Sequence, residues 1–242
     1  MWGPLTTAWI ARARGRTEEA LQWVDAARKL APNDSWLADQ KIDLLLTLNQ
    51  FDEANVVRLE LPQDGSFFSL AREGAIVHAK GGPEALRQWM AASHIESRAG
   101  TGAELTELAR MQMVSGDLLA ARKTLLHADR ILPILSGDLY DGSQIRHEYS
   151  GALIRARIEL NGGNRDGAFK LLTDFEHMLD TYEKNGGRHF GLYTLRAESF
   201  ALRGEKVKAQ KSFQSAWNHG WRSTWKAQRD PLFAGIELPT AE

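Results

Sequence analysis

The fold follows from the stretch "GRTEEALQWVDAARKLAP" at residues 15–32, because a second stretch repeats its pattern as "GDLLAARKTLLHADRILP" at residues 116–133. A third copy, "GEKVKAQKSFQSAWNHG", occupies residues 204–220, and weaker copies begin at residues 49, 81 and 162. The copies share one glycine and two alanines, and the first two also share a proline: Gly15, Ala20, Ala27 and Pro32; Gly116, Ala121, Ala128 and Pro133; Gly204, Ala209 and Ala216. Since each copy follows an apolar stretch of helical period, the chain is built on an internal helical repeat.

Each shared residue type has a structural role at its position. Glycine, replaced by Asn49 in the second copy, suits the left-handed turn between two helices. Alanines let the backbone of a neighbouring helix approach closely, while large residues four positions apart fill the space between helix pairs. Proline ends the second helix of the pair. The pattern predicts consecutive helix-turn-helix pairs.

With its period of roughly 34 residues, this pattern resembles the tetratricopeptide repeat. The resemblance implies an all-α fold, a right-handed superhelix (α-solenoid) of about six helical hairpins. It would form a single domain over residues 1–242 with a C-terminal capping helix. The approximate repeats are 1–34, 35–66, 67–100, 101–133, 147–185 and 189–220, followed by a capping segment at 221–236.

Two spacings depart from that period, and the aromatic residue usual early in the first helix of such a repeat is mostly missing. Gly116 and Gly163 are 47 residues apart, and the surplus predicts a loop at 134–146. Gly163 and Gly204 are 41 residues apart, which predicts a prolonged helix around residues 167–184. A long insertion in a compact repeat is either a functional loop or tolerated surface.

Composition and motifs argue against several functions. The 30 basic and 31 acidic residues give a net charge of -1, so no overall field attracts nucleic acid or an anionic membrane. Without cysteine the chain has no thiolate metal site or cysteine nucleophile. It has no apolar run long enough to cross a bilayer, no phosphate-binding loop, no nucleophile elbow and no paired-histidine metal motif. We expect neither catalysis, nor a cofactor, nor a metal.

The resemblance also implies where a partner would bind, since the first helices of tetratricopeptide repeats line a concave groove. The matching positions are Asp39, Asp43, Ala75, His78, Thr106, Arg110, Met113, Leu153, Arg157, Asn161, Thr194 and Glu198. Arg110 and Arg157, with Arg155 and the loop residue Tyr140, form the basis of a hypothesis that the groove holds an acidic or phosphate-bearing segment of another protein. The alternative is that these arginines are solvated or pair with carboxylates nearby.

The C-terminal stretch "GWRSTWKAQRDPLFAGI" at residues 220–236 follows the last repeat. We expect its aromatic rings, together with that of Trp217, to cover the apolar end of the repeat array, while its basic side chains point into water. The rings are Trp217, Trp221, Trp225 and Phe233, and the basic residues are Arg222, Lys226 and Arg229. A ligand-binding aromatic box is the alternative. The stretch also resembles the end of tetratricopeptide regions in bacterial multidomain signalling proteins, including winged-helix regulators and adenylate-cyclase-like proteins.

These observations favour a non-catalytic protein-interaction scaffold or sensory module that binds a peptide or protein segment. The alternative is a receptor domain for a small molecule or peptide in a bacterial signalling or transcription-regulatory protein. Trp2 and Trp9 begin the first repeat without a polar capping helix, so either the chain continues beyond this face or a homodimer covers it. We expect a cytoplasmic location, or a periplasmic one if the chain belongs to a membrane-anchored regulator.

Overall fold

The protein is all-helical throughout the residues that its computed structural model describes, which are 2–62, 64–131, 151–186 and 190–240. Twelve α-helices occupy these ranges, with short 3₁₀ helices at Ile95–Arg98 and Pro231–Phe233. The α-helices are α1 (Trp2–Ala13), α2 (Thr17–Leu30), α3 (Ser35–Thr47), α4 (Phe51–Leu59), α5 (Phe67–Ser93), α6 (Gly102–Val114), α7 (Leu118–Ile131), α8 (Gly151–Asn161), α9 (Arg165–Lys184), α10 (Phe190–Leu202), α11 (Lys206–Asn218) and α12 (Thr224–Arg229). Sequence neighbours pack in pairs, as α1 does with α2, α3 with α4, α6 with α7 and α8 with α9. The all-α prediction is confirmed.

The residues of the repeat pattern occupy the positions expected of them. The turns that follow α1, α3, α6 and α10 each contain one residue with a positive φ: Gly15, Asn49, Gly116 and Gly204. The repeat alanines are at most 1% exposed: Ala20, Ala27, Ala121, Ala128, Ala209 and Ala216. Because these side chains are small, the neighbouring backbone can approach closely at each of them. The helix-turn-helix reading of the pattern therefore holds at the level of these residues.

Two helices have unusual lengths. Helix α5 contains 27 residues, but its backbone breaks at Gly82, where φ is 76° and ψ is -166°. Pro83 follows directly and suits the start of a new helical segment, because its missing N–H has no partner there in any case. Helix α9 contains 20 residues, which confirms the prolonged helix predicted around 167–184. The predicted loop 134–146, with Tyr140, lies outside the described residues.

Helix starts are fixed by side chains that accept hydrogen bonds from otherwise unpaired backbone N–H groups. The Asp34 carboxylate accepts from the N–H groups of Trp36 and Leu37 at the start of α3. At the start of α6, Thr101 and Glu104 form a reciprocal capping box. These caps explain why α3 and α6 begin where they do.

The contacts of the chain divide it into two compact units. Unit 1 consists of Met1–Ile95 together with Trp217–Arg229, and unit 2 consists of Glu96–Ala216 together with Asp230–Glu242. The core of unit 1 includes an apolar cluster on α3, α4 and α5, which contains Ala38, Ile42, Leu45, Leu46, Ala54, Val57, Ile76 and Ala79. The largest fully buried side chains of unit 2 include Met111, Met113, Leu153, Ile154, Leu172 and Phe213. Unit 1 thus draws residues from both ends of the chain.

Candidate functional site

Residues 220–229, which we call the C-terminal segment, cross three helices of unit 1 in order. Gly220 lies against the end of α1, where a Cβ on it would come 2.5 Å from the Ala13 carbonyl oxygen. The Ser223 Oγ lies 2.8 Å from the Oγ1 of Thr47, the last residue of α3. The ring centroids of Trp225 and His78, on α5, are 5.6 Å apart. We call the surface formed by α1, α3 and the first half of α5 the binding face.

Trp225 anchors the C-terminal segment in the core of unit 1. Its side chain belongs to the apolar cluster of α3, α4 and α5 and is 5% exposed. The prediction that Trp225 covers the last repeat is therefore wrong, because its ring is buried among helices near the start of the chain. Phe233 does pack beside the last repeat, since its ring lies 5.1 Å from that of Phe213 on α11. Trp225 and Phe233, two of the four rings of the predicted lid, therefore pack against different helices.

The basic side chains of the C-terminal segment lie near the ends of the same three helices. The Arg222 guanidinium lies against Gly15, just after α1, and also stacks 3.9 Å from the ring centroid of Trp217. Lys226 lies close enough to Asp43 of α3 to stabilise its charge. Arg229 Nη2 donates a long hydrogen bond of 3.4 Å to the Lys80 carbonyl, two residues before the break in α5. These side chains were predicted to point into water, but each is partly buried on the binding face.

Negative partial charge accumulates at the C-terminal ends of helices, because the last carbonyl groups there have no partner within the helix. Arg229 brings positive charge to the Lys80 carbonyl near the break in α5, and the Arg222 guanidinium lies beside Gly15, just after the end of α1. The macrodipoles therefore favour this position of the segment, in addition to the burial of Trp225.

Two carboxylates on the binding face have pKa values shifted in opposite directions. Burial raises the pKa of Asp43, but the Arg12 guanidinium and the Lys226 ammonium outweigh burial, so the pKa falls below its usual 3.8. Burial also raises the pKa of Asp39, and there the ion pair with Arg72 does not outweigh it. Arg72 Nη2 donates a hydrogen bond of 2.8 Å to Asp39 Oδ2. The lowered pKa of Asp43 thus depends partly on a charge that the C-terminal segment supplies.

Among the sequence-predicted site residues, Asp39, Asp43 and His78 come together on the binding face. Ala75 joins them, because it packs against the apolar cluster that contains Trp225. The sequence did not identify Arg12, Thr47 or the C-terminal segment as parts of this surface. One signal was available, since a basic run after the last repeat is complementary to the acidic pair on α3.

The other predicted site residues lie in unit 2, where most are engaged within the chain. Arg110 pairs with Glu107, three residues before it on α6, and Arg157 forms two hydrogen bonds of 2.6 and 2.7 Å with Asp230. Both arginines thus pair with carboxylates nearby, as the alternative to the acidic-segment hypothesis predicts. Asn161 is exposed and donates to the Arg157 carbonyl, the Thr106 hydroxyl donates to the Gly102 carbonyl, and Arg155 is half-buried.

Four of the unit 2 positions are buried. They are Met113, Leu153, Thr194 and Glu198, which are 1%, 0%, 8% and 4% exposed. Methionine and leucine at these positions contribute to the core rather than to a surface. A partner could therefore not reach these side chains in this conformation.

No protein-family model, curated protein or solved structure matches the chain. Over the ranges that the structure covers, no helix combines the length and apolar character needed to span a bilayer. Within the same ranges, no three His, Asp or Glu side chains are grouped as a metal site would require.

Replacing Gly220 with alanine should loosen the C-terminal segment. The new Cβ would lie 2.5 Å from the Ala13 carbonyl oxygen, and the backbone φ of 95° is one that alanine rarely adopts. Since the three atoms nearest to this Cβ are all backbone atoms, of Arg12 and Ala13, the segment must shift, at a cost of about 1–3 kcal/mol in the free energy of unfolding. Urea unfolding measures this change.

Gly204→Ala is the matched control for this prediction. Gly204 also has a positive φ, 78°, but nothing lies within 4 Å of the Cβ that alanine would add. The loss of unfolding free energy in Gly204→Ala therefore measures backbone strain alone. The additional loss in Gly220→Ala measures the contact between the segment and α1. Equal costs for the two variants would contradict the close approach of the segment to Ala13.

The contributions of Asp43 and Asp39 to the free energy of unfolding should depend on pH in opposite ways. Because the folded pKa of Asp43 lies below its unfolded value of 3.8, its stabilising contribution is complete above that value and is lost as the pH falls through the folded pKa. We expect the stability advantage of wild type over Asp43→Asn to shrink as the pH is lowered below 3.8. For Asp39, whose folded pKa is raised, the advantage of wild type over Asp39→Asn should shrink as the pH rises above 3.8.

Urea unfolding of the three proteins between about pH 3 and pH 7 measures both trends. Parallel stability curves for wild type and both variants would contradict the opposite pKa shifts.

Proposed function

We propose that the protein is a non-catalytic interaction module whose binding face holds a short segment of a partner protein. The observation that carries this proposal is the position of the chain's own C-terminal segment on that face. A surface that accommodates an aromatic anchor, a hydroxyl contact and basic side chains in one chain has the features of a peptide-binding groove. In the resting protein, the chain's own segment occupies the groove.

The composition of the contact supports binding rather than catalysis. Trp225 inserts into an apolar cluster, and the surrounding polar contacts are a hydroxyl pair, an aromatic contact with His78 and charges near helix ends. Trp221 in the same segment is also buried, at 3% exposed, and buried aromatic side chains surrounded by polar contacts are typical of protein recognition. The repeat pattern supports the same proposal, because it resembles tetratricopeptide repeats, which bind segments of other proteins.

An aromatic pair beside the occupied part of the face gives further support. The rings of Trp9 on α1 and Trp36 on α3 are 5.9 Å apart in an edge-to-face arrangement, and the two residues are 39% and 42% exposed. Trp36 precedes Asp43 by seven residues, or two helical turns, so both project from the same side of α3. A longer partner segment would have additional apolar surface to cover.

Competition with the chain's own segment would regulate this binding. A tethered segment has a high effective concentration, so a partner must bind more tightly than an untethered copy of the segment to replace it. On the resemblance of residues 220–233 to the tails of signalling proteins, we also propose that the module acts in a bacterial signalling protein in the cytoplasm.

A peptide of residues 220–230, labelled with a fluorophore, tests the proposed function in solution. The receptor is the full chain with Trp225→Ala, which removes the aromatic anchor of the chain's own segment. We expect the peptide to bind this variant and to bind wild type much more weakly, because the wild-type face is occupied. The matched control is the same peptide with alanine in place of tryptophan at position 225.

Fluorescence anisotropy measures the affinities, and circular dichroism checks that the receptor remains helical. If Trp225→Ala does not fold, Ser223→Glu serves as the receptor, since a carboxylate beside Thr47 at the end of α3 would repel the segment without removing a core residue. Equal affinity of the native and the alanine peptide, or no binding by either, would refute the proposed function.

A further inference from the structure

We propose that the partner segment is basic, with an aromatic anchor followed directly by a positively charged side chain. This inference rests on the proposed function and specifies the chemistry of its ligand. It differs from the acidic or phosphate-bearing ligand that Arg110 and Arg157 suggest from the sequence. The chemistry is inferred from the charges of the binding face and from the occupant that the face already holds.

The ends of three helices give the face its preference for positive charge. The C-terminal segment passes the last residue of α1, the last residue of α3 and the break at Gly82 in α5. The negative partial charge of each helix dipole lies at these ends, and cations are stabilised there. An acidic segment in the same position would bring its carboxylates close to this negative partial charge.

The side chains around the segment agree with this preference. The basic side chains of α1, α3 and the first half of α5 have acidic partners within unit 1: Arg12 pairs with Asp43, Lys41 with Asp25, Arg72 with Asp39 and Lys80 with Asp52. Acidic residues on a partner would therefore compete with existing ion pairs. A cation at position 226 instead adds a second positive charge beside Asp43, whose pKa is already lowered by Arg12 and Lys226 together.

The position of Trp225 explains why the aromatic residue of the partner segment comes directly before its positively charged residue. Trp225 is buried among α3, α4 and α5, and the next residue, Lys226, is half-buried close to Asp43. The Lys226 ammonium also lies 5.7 Å from the centroid of the Trp225 ring. An aromatic residue followed by lysine or arginine can therefore pack into the apolar cluster and place a positive charge beside the Asp43 carboxylate.

Three labelled peptides and three receptors test this inference. The peptides are residues 220–230 in native form, the same peptide with glutamate at positions 222, 226 and 229, and the same peptide with alanine at position 225. The receptors are the full chain with Trp225→Ala, and that variant combined with either Asp43→Asn or Asp25→Asn. Asp25 is the matched control, because it pairs with Lys41 and takes no part in the described contacts of the C-terminal segment.

We expect the charge-reversed peptide to bind about tenfold more weakly than the native peptide or worse. Asp43→Asn should weaken binding of the native peptide more than binding of the charge-reversed peptide, whereas Asp25→Asn should change the affinity of neither peptide. Added salt should weaken the native peptide, because its attraction is partly electrostatic. If Trp225→Ala does not fold, Ser223→Glu replaces it in all three receptors.

The outcomes separate the two proposals. Equal binding of the native and charge-reversed peptides, each dependent on the aromatic residue, would overturn the basic partner and leave the interaction module standing. Tighter binding of the charge-reversed peptide would also overturn it, in favour of an acidic segment. Absence of binding by every peptide would overturn both proposals.

Discussion

Trp225→Ala will lower the free energy of unfolding of unit 1 by about 3–5 kcal/mol, the usual cost of truncating a buried tryptophan to alanine. The side chain is 5% exposed and packs within the cluster of α3, α4 and α5, so its removal leaves a cavity that these helices cannot fill without moving. Hydrogen exchange measures where the loss occurs. Amide protection should fall in α3, α4 and α5 and remain at its wild-type level in α10.

Trp225→Phe provides a matched control for the anchor. Phenylalanine retains an aromatic ring, and it removes an indole N–H that has no hydrogen-bond acceptor among the described residues. Its cost should therefore be well below that of alanine, because the lost volume is partly offset by the loss of an unpaired donor. Loss of protection in α10 rather than in α3 to α5 would restore the lid interpretation and contradict the observed packing of Trp225.

Arg157→Ala should lower the free energy of unfolding of unit 2 by about 3–5 kcal/mol, because it leaves a buried carboxylate without its cation. The side chains of Arg157 and Asp230 are 12% and 7% exposed, and two hydrogen bonds of 2.6 and 2.7 Å join them. Asp230 also accepts a hydrogen bond from the Leu232 N–H at the start of the final 3₁₀ helix. Thermal and urea unfolding measure the loss.

Arg196→Ala is a matched control for the buried ion pair. The Arg196 side chain is 16% exposed, but its partners Asp180 and Glu183 are 57% and 31% exposed. Water can therefore solvate those carboxylates when the arginine is removed, and the cost should stay near that of a surface pair, about 1 kcal/mol or less. The double variant Arg157→Ala, Asp230→Ala should recover part of the stability lost in Arg157→Ala. Similar costs at Arg157 and Arg196 would contradict the buried pair.

The elements that the sequence predicts well are those governed by local rules. A glycine or asparagine at a turn, alanines at close contacts and a surplus of residues in a helix each act over a few neighbouring positions. The positive φ of Gly15 and Asn49, the burial of Ala121 and the length of α9 therefore agree with the pattern. No comparable local rule connects Trp225 with Ile42 or Ile76, which are contributed by distant parts of the chain.

The candidate site was predictable only in part for the same reason. Matching the repeat register placed Asp39, Asp43 and His78 on one surface, because the register fixes which side of a helix each residue occupies. It could not identify which surface positions the rest of the chain covers. Met113 and Glu198 are therefore buried at positions predicted for the groove, and Arg157 meets an acidic residue of its own chain.

The composition of unit 1 also has a consequence for synthesis on the ribosome. Its helices α1 to α5 precede the 121 residues from Glu96 to Ala216, and its last component, Trp217–Arg229, follows them. At about 5–20 residues per second, roughly 6–24 s pass before the anchor emerges. During that interval the apolar cluster of the nascent N-terminal helices lacks Trp225 and is open to chaperones. Chaperone binding to ribosome-bound chains of increasing length therefore measures when unit 1 is completed.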